Sequence, residues 1–241
     1  MLDVFNRQMQ NITNNSILAV YKPKGITSFD LIRIIRKNTD IKKIGHAGTL
    51  DPNAEGLMIL GTGTSTKKLT GLVGLDKTYI AEIKLGTQTD SGDIDGAIES
   101  EELVNIIDAS QVEEIIESFR GTYKLPVSLY SAIKKDGKPL YKYARAGEAV
   151  EKPVREMTIH SSRFISYNHP IITAEFSVSS GTYIRSIAEE IAKKLGTIGL
   201  LQNLKRTRIG EYSLDAAIRI DQEIINDFIS KKKIRVNKKS A

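Results

Sequence analysis

Two different hydrophobic periodicities meet within residues 171–196, and they limit the fold more than any other feature of the sequence. In "IITAEFSVSSG" apolar and polar residues alternate, which is typical of a β-strand with one buried face; the apolar set is Ile172, Ala174, Phe176 and Val178. In "TYIRSIAEEIAKKLG" the apolar residues recur at helical spacing, and Gly196 supplies a stop signal. The sequence therefore predicts a strand that is followed directly by an amphipathic helix.

Other strand and helix patterns alternate along the chain without a regular period. Strands are predicted in "SILAVYK", "LMILG" and "KTYIAEIKLG", helices in "TSFDLIRIIRKNT" and "SQVEEIIESF", and a hairpin turn at Asp136 and Gly137. The first helix begins with a Thr-Ser cap, and Ser110 with Glu113 forms a capping-box pattern for the second. Because a regular βαβ order is missing, we predict the α+β class, with a mixed, mainly antiparallel sheet flanked by helices.

The residue types exclude several kinds of chemistry. The chain has 241 residues and no cysteine, which excludes disulfides, thiolate catalysis and sulfur-ligated zinc. The three histidines, His46, His160 and His169, lack metal-binding spacing, so no metal site is expected. No apolar run approaches the roughly 18 residues of a membrane span, and the N-terminal residues lack a signal-peptide pattern. We therefore expect a cytoplasmic protein.

Charge is distributed unevenly along the chain. The net charge is +6, but the last eleven residues hold six Lys or Arg and no acid, so the other 29 bases balance 29 acids. Residues 22–43 carry seven bases and two acids, residues 193–208 five bases and no acid, and residues 99–118 seven acids and no base. Basic stretches of this kind suit a polyanionic partner. Solvated faces together with a frayed tail are the alternative explanation.

The loop "GHAGTLDPNAEG", residues 45–56, contains an aspartate together with glycine and proline residues that can determine its backbone conformation. Gly45, Gly48 and Gly56 permit backbone angles that other residues avoid, and Pro52 keeps Asp51 out of the helical region. Such a loop can be rigid without being regular, and it can present Asp51 in a fixed direction.

Three other interpretations of this region are open on the residues alone. An Asp-Pro turn between a helix and a strand needs no catalytic role. Asp51 and Glu55 could be the carboxylate pair of a carbohydrate-active enzyme, which requires a separation of roughly 5 to 9 Å. "GTGTSTK", residues 61–67, suggests a phosphate loop, but the G-x-x-x-x-G-K-[ST] spacing is absent.

Five blocks, in order along the chain, resemble the TruB-type tRNA pseudouridine synthases. They are "GHAGTLDPNAEGLMILGTGTSTK", "DKTYIAEIKLGTQTDSGDIDG", "PVSLYSAIKKDGKPLYKYARAG", "SSGTYIRSIAEEIAKKLG" and "LKRTRIGEYSL". The resemblance covers roughly residues 17–220. It implies a pseudouridine-synthase core of the α+β class, split around an active-site cleft.

The resemblance also implies an isomerase that needs no metal, nucleotide or organic cofactor. Similar proteins convert uridine 55 in the T loop of tRNA to pseudouridine by breaking the bond from ribose C1′ to N1, rotating the base and rejoining it through C5. Asp51 matches the catalytic aspartate, which attacks the sugar or the base. An aspartate is ionised at neutral pH, as a nucleophilic role requires.

Two further catalytic residues are implied by the resemblance. Arg185 matches the arginine that pairs with the catalytic aspartate and keeps it charged and oriented. From local sequence alone, Arg185 and Glu189 could instead form a surface pair four residues apart on a helix. Tyr79 matches the tyrosine that stacks on the target base and serves as the base in the rearrangement, although a tyrosine in a strand is ordinarily part of the core.

Other positions match substrate-binding residues of the family. Tyr183 and Leu204 match residues that line the uridine pocket; without the resemblance, both would pass as core residues. His46 matches the histidine that enters the T loop and fills the space left by flipped nucleotides, which lowers the cost of extruding a base.

Two more blocks contribute to the implied site. Lys22 and Pro23, in "YKPKG", match a second family signature that supports the floor of the active site, although an ordinary turn at the end of a strand would also explain them. Asp93, in "SGDIDG", lies where the family has an acidic residue near the target.

We predict a flexible N-terminus over residues 1–15, a catalytic domain over 16–230 and a basic tail over 231–241. Many relatives carry a C-terminal PUA domain that grips the acceptor arm of tRNA, and we expect this chain to lack it. The tail is expected to replace part of that grip by contacting phosphates.

The expected partner is tRNA, bound through its T arm by a monomer that requires no protein partner and no membrane. One alternative is a tRNA-binding or tRNA-folding module with secondary or no isomerase activity. Another is the guide-RNA-directed relative that works inside a ribonucleoprotein; the "TQTDSGDIDG" block and the expected lack of a PUA domain favour the stand-alone enzyme.

Overall fold

The structure, a computed structural model, describes residues 12–237, with side chains described for residues 12–232. The strands are β1 Ile17–Lys22, β2 Ile44–His46, β3 Glu55–Thr62, β4 Lys77–Leu85, β5 Thr87–Thr89, β6 Ile98–Glu101, β7 Gly121–Pro126, β8 Lys134–Lys135, β9 Lys138–Pro139, β10 Val154–Asn168, β11 Ile171–Val178, β12 Gly199–Ile209 and β13 Tyr212–Ser213. The α-helices are α1 Ser28–Lys37, α2 Leu69–Val73, α3 Ala109–Ser118, α4 Leu140–Arg145, α5 Ile184–Lys194 and α6 Gln222–Asn237, and 3-10 turns cover Gly63–Lys68 and Leu214–Ala216. This irregular order of helices and strands confirms the predicted α+β class.

The chain forms two compact units. The first, which we call the discontinuous unit, contains the described residues up to Lys77 and those from Lys205 onward, and the second, the continuous unit, is Thr78–Leu204. Among the described residues, no helix combines the length and the apolar character that crossing a bilayer requires.

The discontinuous unit is built around β3. β1 and β2 pair with β3 in antiparallel fashion, whereas β12 pairs with it in parallel, with Arg206 opposite Gly56. β3 is almost entirely buried because its apolar residues pack on both sides; the core includes Ala47, Leu57, Ile59, Leu69, Ile209 and Leu214. Each fully buried aliphatic side chain of this kind contributes about 1.5–3 kcal/mol.

The continuous unit has the strand order β12, β4, β11, β10, β7. The alternation of β11 is as predicted, since Ile172, Ala174, Phe176 and Val178 are all fully buried. β10 pairs with β11 and β7 in antiparallel fashion, α3 packs on β10, and α5 packs on β7. The mixed, mainly antiparallel sheet is therefore confirmed.

The helix caps agree with the sequence in one case and differ in the other. Thr27 caps α1, and Asp30 completes a capping box. The capping box predicted at Ser110 is wrong: α3 begins at Ala109, so its cap is Asp108, two residues earlier, and the Asp108 side chain accepts a hydrogen bond from the backbone N–H of Ser110 at 2.8 Å. Aspartate is at least as good an N-cap as serine, and Asp108 precedes Ser110 in the chain, so the helix begins after Asp108.

The structure describes part of each predicted chain end. Ile12 is buried, and the Asn15 side chain accepts hydrogen bonds from Thr64, so residues 12–15 are anchored, while residues 1–11 lie outside the described residues. The boundary predicted at residue 230 falls inside α6, in which Lys232 donates to the buried carboxylate of Asp30 at 2.6 Å. Residues 238–241 of the predicted basic tail lie outside the described residues.

Gly56 is a position at which no other residue fits. Its φ is +113°, and an added Cβ would lie 2.7 Å from the backbone nitrogen of Arg206 and closer still to that residue's carbonyl oxygen. Gly56→Ala is expected to lower the free energy of unfolding, measured by urea denaturation, by at least about 3 kcal/mol. Gly71→Ala is the control, because Gly71 lies in α2 with nothing within 4 Å of an added Cβ; equal losses in the two variants would contradict this account.

Candidate active site

Asp51 lies in the loop between β2 and β3, and the backbone on both sides of it is held. The Ser28 hydroxyl, at the start of α1, donates to the carbonyl oxygen of Leu50 at 3.0 Å and accepts from its N–H at 2.9 Å. On the other side, the N–H of Gly25 donates to the carbonyl oxygen of Pro52 at 2.9 Å. The positions that flank Asp51 are thereby fixed to α1 and to the turn that precedes it.

Lys22 provides a second hold on the same loop. Its side chain is completely buried, and Nζ donates to the carbonyl oxygens of Pro23 at 2.9 Å, Ile26 at 2.7 Å and Pro52 at 3.2 Å. All three ammonium hydrogens can be used in this way, which is what a buried cation requires. Pro23 is buried as well, so the "KPKG" turn and the Asp51 loop form one connected structure.

The charge of Lys22 is disfavoured by its surroundings. The pKa of Lys22 is lowered to about 8; burial is the main cause, the positive charge of Arg206 acts in the same direction, and the carboxylates of Asp51 and Glu55 oppose the shift. At neutral pH the ammonium therefore remains mostly protonated. It supplies positive charge that interacts with Asp51.

Arg206, on β12, completes the support of the loop, and the sequence did not single it out. It is 1% exposed; its Nε donates to Leu57 O at 2.7 Å, and its Nη atoms donate to Thr49 O at 3.4 Å and Gly48 O at 3.3 Å. A local pattern gives no sign that this arginine is buried. Its presence in the family block "LKRTRIG" was the one available signal.

His46 occupies the end of β2, opposite Leu60 of β3. Burial is the main reason that its pKa is lowered, the charge of Arg206 acts in the same direction, and the backbone of Gly48 acts against them. A neutral imidazole is therefore favoured at pH 7.

In the continuous unit, Arg185 forms the centre of a polar cluster. Its side chain is 6% exposed, and Nη1 lies 3.2 Å from the Asp93 carboxylate and donates to the carbonyl oxygen of Ser91 at 3.2 Å. Nη1 also lies within 3.4 Å of the Ser128 hydroxyl, and Nη2 donates to the carbonyl oxygen of Tyr130 at 3.1 Å. The two loops that contain Ser91 and Tyr130 thus fix the guanidinium.

The alternative role considered for Arg185, an exposed pair with Glu189, is wrong because the arginine is buried. Glu189 is itself half-buried, and burial is the main cause of its raised pKa. Asp93, a predicted site residue, is instead directly paired with Arg185, and the Ser91 hydroxyl donates to it at 2.7 Å.

The structure places the remaining predicted residues on three elements of the continuous unit. Tyr79 is 8% exposed on β4, Tyr183 caps the N-terminus of α5 and is half-buried, and Leu204 is half-buried near the middle of β12. The described contacts join Asp51 with Lys22 and Pro23 in one unit, and Arg185 with Asp93 in the other. The predicted pairing of Asp51 with Arg185 stays a prediction.

Solved structures share this fold. A structure described as "H/ACA RNP bound to a substrate RNA containing 2'-deoxyuridine" matches 95% of this chain and 57% of its own with a TM-score of 0.65 and 19% identity. A Cbf5-Nop10-Gar1 complex matches 95% of this chain and 58% of its own, with the same TM-score and identity. These two structures therefore share the fold of this chain.

The family is shown by sequence. Residues 36–184 match the model of the TruB family pseudouridylate synthase N-terminal domain. The chain belongs to this family, and it is an isomerase of the pseudouridine synthase class.

Curated relatives named tRNA pseudouridine synthase B match most of the chain. Those from Azoarcus sp. and Caldicellulosiruptor saccharolyticus are each 41% identical over 207 residues, which is 86% of this chain and 69% and 71% of theirs. The relative from Psychrobacter arcticus is 38% identical over 86% of this chain, which spans only 56% of that protein's length.

The lowered pKa of Lys22 predicts a specific pH dependence of stability. Below pH 8 the ammonium is charged in both the folded and the unfolded states, and above its ordinary value of 10.5 it is neutral in both. Between these values the unfolded state binds more protons, so the stability contributed by this group increases with pH. Relative to Lys22→Met, the wild type should gain on the order of 3 kcal/mol of unfolding free energy across this window.

Urea denaturation of both proteins at intervals from pH 7 to 11 measures this difference. Lys68→Met, which removes an exposed lysine of the 3-10 turn, controls for the general loss of one positive charge. A constant difference between wild type and Lys22→Met would contradict the buried-cation account.

Proposed function

We propose that this chain isomerises uridine 55 in the T loop of tRNA to pseudouridine, with Asp51 as the nucleophile. The observation that carries the proposal is the support of the Asp51 loop, whose neighbouring backbone is held by Ser28, Lys22 and Arg206. An aspartate whose backbone is held in this way loses less entropy when it attacks, and preorganisation of this kind lowers a reaction barrier. The names of the curated relatives support tRNA as the substrate.

The reaction needs one nucleophile and one base. Asp51 attacks the nucleotide and forms a bond to it, and the uracil is released as the C1′–N1 bond breaks. The base turns and a C5–C1′ bond forms, and the bond to Asp51 breaks, so that the carboxylate is regenerated. The C5 proton then leaves and N1 gains a proton, so the product is an isomer of the substrate. We assign to Tyr79 both stacking on the base and removal of the C5 proton; its position on β4, almost buried, suits a flat and rigid contact.

Arg185 is proposed to orient Asp51 and to keep it ionised. Its guanidinium is already fixed by Asp93, Ser91 and Tyr130, so it can act on a further carboxylate without first becoming ordered. Asp93 is a positioning residue in this account, because it acts through Arg185.

The other site residues are proposed to hold the RNA. Tyr183 and Leu204 line the pocket of the extruded uridine, since flipped bases are held by stacking and apolar contact. His46 enters the T loop and fills the space that the flipped nucleotides leave; its favoured neutral form suits that role.

We propose that the enzyme works in the cytoplasm as a monomer without a protein partner. The chain is about 41% identical to proteins named tRNA pseudouridine synthase B and 19% identical to its counterpart in the H/ACA ribonucleoprotein structure, which favours the tRNA enzyme over the ribonucleoprotein component.

Replacement of Asp51 tests the reaction and the site together. Tritium release from tRNA labelled at uracil C5 is expected from the wild type on a transcript with uridine at position 55, and not on one that lacks it. Asp51→Asn should reduce release at least about 1000-fold, because it removes the nucleophile. Its affinity for tRNA should stay within about threefold of the wild-type value if uncharged asparagine keeps the loop geometry.

Glu55→Gln is the matched control for Asp51→Asn. Glu55 accepts a hydrogen bond from the Tyr21 hydroxyl, and glutamine can keep that bond through its own oxygen. Activity close to that of the wild type is expected. A loss as large as that of Asp51→Asn would favour a two-carboxylate mechanism, and a wild type that binds tRNA without releasing tritium would favour an RNA-binding module.

Arg185→Lys tests the proposed orientation of Asp51. A lysine cannot satisfy the partners on both loops that fix the guanidinium, so kcat should fall about 100-fold while Kd for tRNA changes little. The control is Arg163→Lys, an exposed arginine of β10 that pairs with Glu175. Equal kcat values for the two variants would remove Arg185 from the catalytic machinery.

A further inference from the structure

Phe29 is an exposed aromatic side chain on a helix that already has a complete core face. It is 56% exposed, whereas Leu31, Ile32, Ile34 and Ile35 of the same helix are buried. Scattered apolar residues on a surface are ordinary. What distinguishes Phe29 is the chemistry of the groups around its ring.

The first of these groups is His46. The two rings meet edge to face, with their centroids 6.4 Å apart. Phe29 therefore extends the aromatic surface of a residue that is proposed to enter the RNA, and it does so from α1 rather than from the Asp51 loop.

The second group is Arg33, whose guanidinium carbon lies 6.0 Å from the centroid of the Phe29 ring. The Arg33 side chain is 60% exposed, but it is held at one end by the buried carboxylate of Asp30 at 3.0 Å. An exposed arginine that is anchored in this way loses less freedom on binding than a free one.

A wider positive surface continues from Arg33 between α1 and α6. A cavity of about 310 Å³ there is lined by Asp30, Arg33, Lys37, Phe228, Lys231 and Lys232. Asp30 is completely buried and is bonded to both Arg33 and Lys232, and the nearby Asp227 pairs with Lys231 and Lys37. The four cations outnumber these two acids, so the surface carries net positive charge.

We propose that Phe29 and Arg33 form a stacking platform for an unpaired base of the RNA, next to His46, with the cations between α1 and α6 contacting the adjoining phosphates. An aromatic ring beside an arginine, on a positive surface, is the combination that binds single-stranded nucleic acid. This inference rests on the proposed function, since it takes the T-loop region of tRNA as the occupant. It adds a substrate contact on α1 to those of the Asp51 loop.

Three substitutions of Phe29 test the platform. Phe29→Ala should raise both Kd and KM for tRNA about 10-fold, because stacking on one base is lost, and leave kcat at saturating tRNA unchanged. Phe29→Tyr should restore wild-type values, and Phe29→Leu should not, since it is apolar but has no ring face. Val154→Ala is the control, because Val154 is 59% exposed on β10 of the other unit.

The contact itself can be observed by fluorescence. tRNAs that carry 2-aminopurine at single unpaired positions of the T-loop region are mixed with Asp51→Asn protein, which keeps the complex from turning over. Quenching at one position should be present with Phe29 or Tyr at residue 29 and absent with Ala.

The outcomes separate this inference from the proposed function. A wild type that isomerises tRNA, together with a Phe29→Ala variant that binds tRNA as tightly, would overturn the platform alone. Phe29→Leu equal to wild type would also overturn it, because the contact would then be merely apolar and would fit a protein partner as well. A wild type without isomerase activity would instead show that the proposed function is wrong.

Discussion

The guanidinium of Arg206 is the interaction on which the discontinuous unit depends. It lies fully buried beneath the Asp51 loop and donates to carbonyl oxygens of Gly48, Thr49 and Leu57. Its own backbone runs so close to Gly56 that no side chain fits between β3 and β12. The parallel pairing of β3 with β12 and the shape of the Asp51 loop therefore both depend on Arg206. Substitution of either Arg206 or Gly56 should therefore change the backbone geometry of the Asp51 loop.

The cations beneath the loop are satisfied mainly by backbone carbonyls. Lys22 and Arg206 together use six carbonyl oxygens, three each, and they approach no carboxylate at ion-pair distance among the contacts described. Carbonyl partners fix geometry without neutralising charge, so a positive potential remains under the loop. The pKa of Lys22 reflects this environment, because burial and the charge of Arg206 lower it while the carboxylates of Asp51 and Glu55 raise it. Arg185 contrasts with these two, because it is paired with Asp93 and held by two loops.

Much of the fold could be predicted from local sequence, whereas the supports of the site could not. Alternation fixed the buried face of β11, the Thr27 cap of α1 was correct, and the turn at Asp136 and Gly137 has the positive φ angles of 51° and 78° that its sequence indicated. Arg206 was missed because its hydrogen bonds join residues 149 to 158 positions apart, beyond the reach of any local pattern. Ser28 was considered only as part of a helix cap, yet its hydroxyl holds Leu50. The roles of Asp51, Tyr79 and Arg185 came from the family resemblance and could not be obtained from periodicity.

The division of the chain into a discontinuous and a continuous unit has a consequence for biosynthesis. Thr78–Leu204 is a single uninterrupted segment and can fold as soon as it has left the ribosome, since domains generally fold as units during synthesis. In the discontinuous unit, residues 12–77 can complete their fold only after β12 is made, because Arg206 and the parallel partner strand of β3 follow more than a hundred residues later. Folding of the continuous unit brings the two ends of that long insertion into defined places and removes much of the entropy of closing it. The Asp51 loop consequently gains the support of Arg206 only after β12 has been synthesised.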